Sequence, residues 1–77
     1  MVRNNWRYSL SNESDIHVQR GDVLAEYTPL GSIGTWVVES IDDDGLELSR
    51  GGRRLEVRHQ TIKRSFRHGA LIVGAPR

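Results

Sequence analysis

The 77-residue chain contains no cysteine, only two prolines and a single phenylalanine. Without cysteine it forms neither a disulfide nor a zinc site built on thiolates. The core of a chain this short rarely supplies more than about 3–5 kcal/mol of stability. Further stabilisation has to come from an idealised β-barrel, from a metal held by other ligands or from self-association, and we favour self-association.

Long apolar segments are also missing. No run reaches the roughly 18 apolar residues that a membrane span requires, and no apolar segment typical of a secretory signal follows Met1. The chain is 36% hydrophobic and 27% charged, which is typical of globular proteins and not of disordered ones. We therefore expect one domain over residues 1–77, cytoplasmic by default and without a membrane partner.

Catalytic and metal-binding patterns are absent as well. The histidines His17, His59 and His68 do not stand three or four residues apart, so no metal-ligand spacing occurs and structural roles are expected. The acidic run Asp42-Asp43-Asp44 has Glu47 where a calcium loop needs its glycine, and is interpreted as a solvated turn. There is no nucleophile motif and no phosphate-binding glycine loop. We expect no enzyme activity and no cofactor.

The net charge of +1 conceals a segregation of charge along the chain. Residues 1–49 contain three arginines and nine acidic residues, whereas residues 50–77 contain seven arginines, one lysine and one acidic residue. Such asymmetry suggests a basic surface that binds an anionic partner. Intramolecular pairing between the two segments is the alternative.

Short alternations of apolar and polar residues predict strands in the first part of the chain. Trp6, Tyr8 and Leu10 alternate with polar residues and mark the first strand. A polar loop is predicted over residues 11–15. Residues 16–18 form either a short strand or an extended approach to a turn at Arg20-Gly21-Asp22, and a further strand is predicted over 23–27.

Residues 28–34 contain two glycines and one proline, which predicts a loop. Two apolar residues, Leu30 and Ile33, lie within it. Exposed apolar side chains at a loop tip can bind a partner, but they more often fold back as a lid on the core, and we expect the lid.

The strongest local signal predicts three antiparallel strands over Thr35–Arg58. β-Branched and aromatic residues dominate 35–41. Asp44-Gly45 and Gly51-Gly52 are the predicted hairpin loops, because these dipeptides tolerate positive φ. The segment therefore predicts a meander.

The register of the first hairpin is open to two interpretations. In one, Ile41 faces Leu48 and Glu39 faces Arg50. In the other, the hairpin closes at Ile41–Leu46 and Glu39 faces Leu48. We choose the first, because it matches apolar with apolar and acid with base.

The second hairpin and the C-terminal part follow directly. The pairs Leu48–Leu55, Leu46–Val57 and Glu47–Glu56 are expected, with Arg54 and Arg58 diagonal to Glu47. Ile62 and Phe66, four residues apart, predict a helix over residues 62–68, with Thr61 as N-cap and Gly69 after its end. A closing strand over 70–73 and a frayed tail over 74–77 complete the chain.

These elements predict a mostly β fold, a small SH3-like or OB-like barrel of five to six short antiparallel strands with one short helix near the C-terminus. The pattern that matters here lies in the segments Gly21–Leu24, Trp36–Val38 and Ile41–Leu46. In these segments the chain resembles the small SH3-like barrels of translation-factor and transcription-factor modules, and the resemblance identifies no family. The predicted core consists of Trp36, Val38, Leu46, Leu48, Leu55, Val57, Ile62, Phe66 and Leu71, and Ile41 is expected on the face of Leu48 and Leu55.

Two functions fit this pattern. The first is a nucleic-acid-associated accessory or regulatory protein that holds DNA or RNA phosphates on a basic surface. Its predicted contact residues are Arg50, Arg53, Arg54, Arg58, Lys63, Arg64 and Arg67. The second is a non-enzymatic protein-interaction or self-assembly module with complementary acidic and basic faces. We commit to the first, because it names testable residues.

Overall fold

The computed structural model describes residues 2–10 and 15–74, which form eight β-strands and one α-helix. The bounds are β1 Val2–Arg3, β2 Asn5–Ser9, β3 Asp15–Gln19, β4 Val23–Thr28, β5 Gly31–Asp42, β6 Gly45–Arg50, β7 Arg53–Arg58, α1 His59–Arg67 and β8 Leu71–Val73. The predicted loop over 11–15 and tail over 74–77 lie largely outside the described residues.

Six of the strands form one antiparallel sheet in the order β7-β6-β5-β4-β8, with β1 paired to the end of β5. The expectation of a mostly β, antiparallel fold with one short C-terminal helix is confirmed. β7 and β8 do not pair with each other in the part of the chain that the structure describes, so the sheet has two edges there and no closed barrel is seen.

One face of the sheet is covered by the hairpin β2–β3 and by α1. Ile62 and Phe66 lie four residues apart on α1 and are both buried, so the helix packs through a single stripe. The ring of Phe66 lies 5.5 Å from that of Tyr8 on β2. The core cluster is Tyr8, Val18, Leu24, Val38, Ile41, Leu46, Leu48, Ile62, Phe66 and Leu71.

Most of the predicted core is confirmed, with Trp36 and Val57 only partly buried. Leu55 was expected to be buried and is 48% exposed. The prediction fails because β7 is an edge strand, so Leu55 has a neighbouring strand on one side only. The sequence reasoning also omitted Tyr8 and Val18, which the covering hairpin contributes.

The predicted register of the first hairpin is wrong. Ile41 pairs with Leu46, and Val38 pairs with Leu48, with a register shift between them. The alternative register, which also closes at Ile41–Leu46, would set Glu39 opposite Leu48. A β-bulge at Glu39 removes that conflict, because the extra residue lets the apolar Val38 face Leu48 instead.

The second hairpin forms as predicted. Glu47 pairs with Glu56, and Gly51 and Gly52 form the turn with φ of +55° and +81°. Arg54 relieves the like-charge pair, because its Nη1 lies 2.8 Å from Glu47 Oε1. Local turn chemistry was sufficient here.

The helix begins three residues earlier than predicted, at His59, so Thr61 lies inside it and is not the N-cap. No side chain caps this end. The N–H of His59 instead donates to the carbonyl oxygen of Asp44 at 3.2 Å, a tertiary partner that a local pattern does not reveal. The predicted end is confirmed, since Gly69 follows the last turn with φ of +75°.

The predicted loop over 28–34 is a protruding hairpin. Thr28 ends β4 and pairs with Gly31, the first residue of β5. Leu30 is 99% exposed and Ile33 is 52% exposed, so the expectation that they fold back on the core is wrong. The tight pairing of β4 and β5 holds the tip away from the core.

Candidate functional site

The molecule is flat, with extents of 37 × 35 × 19 Å. One broad side carries α1 and the hairpin β2–β3. The other is the second face of the sheet, here called the open face. Because side chains alternate along a strand, Glu47 lies on the open face between the buried Leu46 and Leu48.

The structure does not bring the seven predicted basic residues onto one surface. Arg54 and Arg58 alternate with inward-facing residues of β7 and lie on the open face. Arg53 lies at the turn of the second hairpin and pairs with Arg50 on the neighbouring strand β6. The other three, Lys63, Arg64 and Arg67, belong to α1 on the opposite side.

Arg50 takes part in an intramolecular network. Its Nη1 lies 3.0 Å from Glu26 Oε1, and its guanidinium lies 4.0 Å from the centroid of the Trp36 ring. The same carboxylate oxygen accepts a hydrogen bond from Trp36 Nε1 at 3.0 Å. Arg50 and Arg54 are therefore each paired with an acidic residue of the same chain.

The three cations of α1 are arranged differently. Lys63, Arg64 and Arg67 flank the buried positions Ile62 and Phe66, and the helix contains no acidic residue. None of the three forms an ion pair with any residue of the described ranges. They form a surface with a formal charge of +3, here called the basic helix surface.

The open face contains a groove of about 560 Å³. Gly45 lines the groove, and the cross-strand pair Glu47–Glu56 forms one wall. Its lining consists of Ser40, Asp42, Asp44, Gly45, Leu46, Glu47, Glu56, Val57 and Arg58. Four carboxylates and one guanidinium give this acidic groove a formal charge of −3.

An apolar strip made of Val23, Val37 and Ile72 continues the open face across β4, β5 and β8, with the buried Ala25 between Val37 and Ile72. Val23 pairs with Val37, and Ala25 pairs with Ile72, so all four lie on this side of the sheet. Val37 is 37% exposed and Ile72 is 51% exposed. Within the described ranges, Val37 and Ile72 therefore remain accessible on this side of the sheet.

The acidic turn is held by its own backbone. Asp42 Oδ1 accepts hydrogen bonds from the N–H groups of Asp44 and Gly45 at 2.8 and 3.0 Å, which lowers the pKa of Asp42. A hydrogen bond from the Arg3 guanidinium lowers the pKa of Asp43. Both carboxylates are therefore ionised at neutral pH, and Asp42, which lines the groove, contributes a negative charge to it.

A smaller depression of about 420 Å³ lies beside His59. Both nitrogens of His59 are engaged, Nδ1 with the Tyr8 hydroxyl and Nε2 with the carbonyl oxygen of Asp42, each at 2.7 Å. Burial raises the pKa of the Tyr8 phenol. These two hydrogen bonds connect His59, at the start of α1, with β2 and with the end of β5. Sequence reasoning missed these contacts, since no local pattern connects residues 51 positions apart.

No protein-family model matches the chain, and no curated protein or solved structure is significantly similar to it. Within residues 2–10 and 15–74, no group of three or more histidine, aspartate or glutamate residues is placed to hold a metal ion. No helix in that part of the chain is long and apolar enough to cross a membrane.

Proposed function

We propose that the protein is a non-enzymatic interaction module that binds a cationic, partly apolar protein surface through the open face of its sheet. One observation carries the proposal: the acidic groove lies beside the apolar strip on a sheet face that no described element covers. Protein interfaces combine a desolvated apolar centre with a polar rim, and this face offers both.

Repulsion between carboxylates in the groove favours the binding of a cation. Glu47 and Glu56 stand directly opposite each other, and like charges in such a pair are destabilising. Arg54 approaches Glu47 but leaves Glu56 and Asp44 without an ion pair in the described residues. A guanidinium or ammonium group in the groove relieves the repulsion, and burial of Val37 and Ile72 adds a hydrophobic contribution.

A synthetic peptide of alternating arginine and valine, labelled with fluorescein, tests this function. Its anisotropy should rise saturably with added protein, and a peptide of alternating glutamate and valine should not bind. Added salt should weaken the complex, because the groove and the peptide attract each other through partly exposed charges.

The variant Asp44→Asn with Glu56→Gln should weaken arginine–valine binding at least about tenfold, equivalent to about 1.4 kcal/mol. The matched control, Asp15→Asn with Asp22→Asn, removes the same charge away from the open face. Asparagine at position 22 keeps an acceptor for the N–H of Gln19. Equal weakening by the two double variants, or binding of the glutamate–valine peptide, contradicts the proposal.

The finer fold assignment is also a proposal: an SH3-like or OB-like barrel opened between β7 and β8. β5 is twelve residues long, pairs with β4 near its start and β1 at its end, and carries a bulge. Bulged strands of this kind turn the corners of small barrels and orthogonal sandwiches. Nuclear Overhauser contacts in solution between the facing edges of β7 and β8 would support the barrel, and a flat sheet with these edges far apart would contradict the assignment.

The basic helix surface favours a second candidate function, binding of DNA or RNA phosphates. Lys63, Arg64 and Arg67 carry no acidic neighbour on α1, which distinguishes them from Arg50 and Arg54. About three phosphate contacts predict a slope of log K against log salt near −2 to −3, and seven contacts would give about −6.

Anisotropy titrations of labelled duplex DNA and single-stranded RNA at several salt concentrations measure that slope. The variant with Lys63, Arg64 and Arg67 all changed to alanine should abolish nucleic-acid binding. Arg50→Ala with Arg54→Ala should retain it, because those two side chains are paired with carboxylates. Absence of binding at low salt, or equal loss in both variants, excludes this second function.

A further inference from the structure

The chain itself carries a surface that matches its own acidic groove. The groove has four carboxylates and one arginine, a formal −3, and the basic helix surface has three cations and no acid, a formal +3. We infer that the cationic partner of the open face is a second copy of this chain, whose basic helix surface docks on the acidic groove. This inference rests on the proposed interaction function.

The two surfaces cannot satisfy each other within one copy. Ile62 and Phe66 attach α1 to the core side of the sheet, whereas Glu47 and Glu56 project from the open face. Arg64 and Arg67 are exposed on the side of α1 away from the sheet, and Lys63 is half-buried beside the β2–β3 hairpin. The sheet and its core therefore lie between the basic helix surface and the Glu47–Glu56 wall of the groove, which leaves both surfaces open to a second copy.

The dimensions fit such a contact. A nine-residue helix is about 13.5 Å long, and the molecule extends over 37 × 35 Å along the two axes of its broad sides. A broad side of these dimensions has room for the roughly 800 Å² that each partner contributes to a standard interface. Val37 and Ile72, beside the groove, would then be covered by the helix side of the neighbouring copy.

Because the two surfaces lie on opposite broad sides, the contact is head-to-tail. Each copy that docks through its helix still presents an unoccupied groove, and each copy that docks through its groove still presents a helix. Contacts of this type produce rings or open-ended chains of copies, not isolated two-fold dimers. The association should weaken as salt rises, because the attraction is between partly exposed charges.

Sedimentation velocity of the full chain and two charge-reversal variants tests the inference. The groove variant is Asp44→Lys with Glu56→Lys, which keeps the helix and the Glu47–Arg54 pair. The helix variant has Lys63, Arg64 and Arg67 each changed to Glu, which keeps the groove. All five positions lie away from the buried core, and circular dichroism checks that both variants are folded.

Wild-type protein should form species larger than a dimer at low salt and dissociate at high salt. Each variant alone should be monomeric. An equimolar mixture should associate again, because it contains one intact groove and one intact helix, and the two reversed surfaces are also of opposite charge. A monomeric wild type, assembly that persists in either variant, or a mixture that stays monomeric overturns the second-copy inference.

The peptide titration keeps this inference separate from the proposed function. A wild type that stays monomeric and still binds the arginine–valine peptide through Asp44 and Glu56 has the proposed activity with a different partner. A wild type that neither assembles nor binds the peptide has neither property.

Discussion

The imidazole of His59 lies parallel to the indole of Trp6, with ring centroids 3.7 Å apart and 10° between the ring planes. His59 Nε2 faces the carbonyl oxygen of Asp42, which can only accept, so Nε2 donates to it. In the neutral ring Nδ1 then accepts a hydrogen bond from the Tyr8 hydroxyl. One side chain thereby connects β2, the end of β5 and the first turn of α1.

His59→Ala should lower the free energy of unfolding by about 2–3 kcal/mol, since it removes the stacked pair and two hydrogen bonds. Urea unfolding followed by tryptophan fluorescence measures the change. His17→Ala is the matched control, because His17 is exposed on β3, and it should cost less than about 0.5 kcal/mol. Equal losses in the two variants would show that the contacts of His59 do not stabilise the fold.

Tyr8 should make the protein sensitive to alkali. Burial raises the pKa of its phenol above the value of about 10 that it has in the unfolded chain. The contribution of the protonated phenol is thus fully present below about pH 10 and is lost as the pH rises toward the folded-state pKa. Unfolding free energies from about pH 9 to about pH 11 should fall less steeply in Tyr8→Phe than in the wild type. The same flattening in Tyr27→Phe would contradict the assignment to Tyr8.

The parts of the fold that depend on local chemistry were predictable from the sequence. Gly51-Gly52 supplies two consecutive positive φ angles, which determines both the turn and the register of β6 against β7. Gly69 ended the helix for the same reason. At these positions the backbone conformation itself selects the residue.

The first hairpin and the helix start depend on contacts that local patterns do not contain. A bulge at Glu39 changes which residues of β5 alternate, so matching side-chain types across the hairpin gives the wrong pairs. The start of α1 depends on the carbonyl oxygen of Asp44, which reaches it only after β6 and β7 have paired. Both features follow from tertiary structure.

The candidate site was predictable only in part. The turn at Gly51-Gly52 was sufficient to predict the pair Glu47–Glu56. That Asp42 and Asp44 lie in the same groove depends on the register of β5, which the sequence reasoning predicted wrongly. The division of the basic residues between two sides of the sheet could not be read from the sequence, because it depends on where α1 packs. Charge counts along a chain do not report which charges share a surface.

Truncation to alanine should cost much more stability at Phe66 than at Leu55. Phe66 is buried against Tyr8, so Phe66→Ala should cost about 3–5 kcal/mol, enough to unfold a domain of this size. Leu55→Ala, on the exposed edge strand, should cost less than about 1 kcal/mol. Chemical denaturation of both variants measures the difference, and similar costs would place Leu55 in a buried interface.

Gly45 is required by the close approach of β6 to β7, at the floor of the acidic groove. A Cβ at this position would collide with the carbonyl oxygen of Val57 and lie 2.9 Å from the Cα of Arg58. Both are backbone atoms, which cannot move by changing a side-chain rotamer, so the strands themselves must separate. Gly45→Ala should therefore cost at least about 1–3 kcal/mol, as overpacking of a core does.

Two neighbouring substitutions separate this clash from other effects. Gly51→Ala meets no atom within 4 Å but has a φ of +55°, so it should cost only the strain of a left-handed residue, about 1–2 kcal/mol. Asp44→Ala, exposed beside Gly45, should have the smallest cost of the three. Because the clash lies in the groove, Gly45→Ala should also weaken arginine–valine peptide binding, whereas Gly51→Ala should not. A Gly45→Ala protein as stable as Asp44→Ala would mean that β6 and β7 lie further apart at this point.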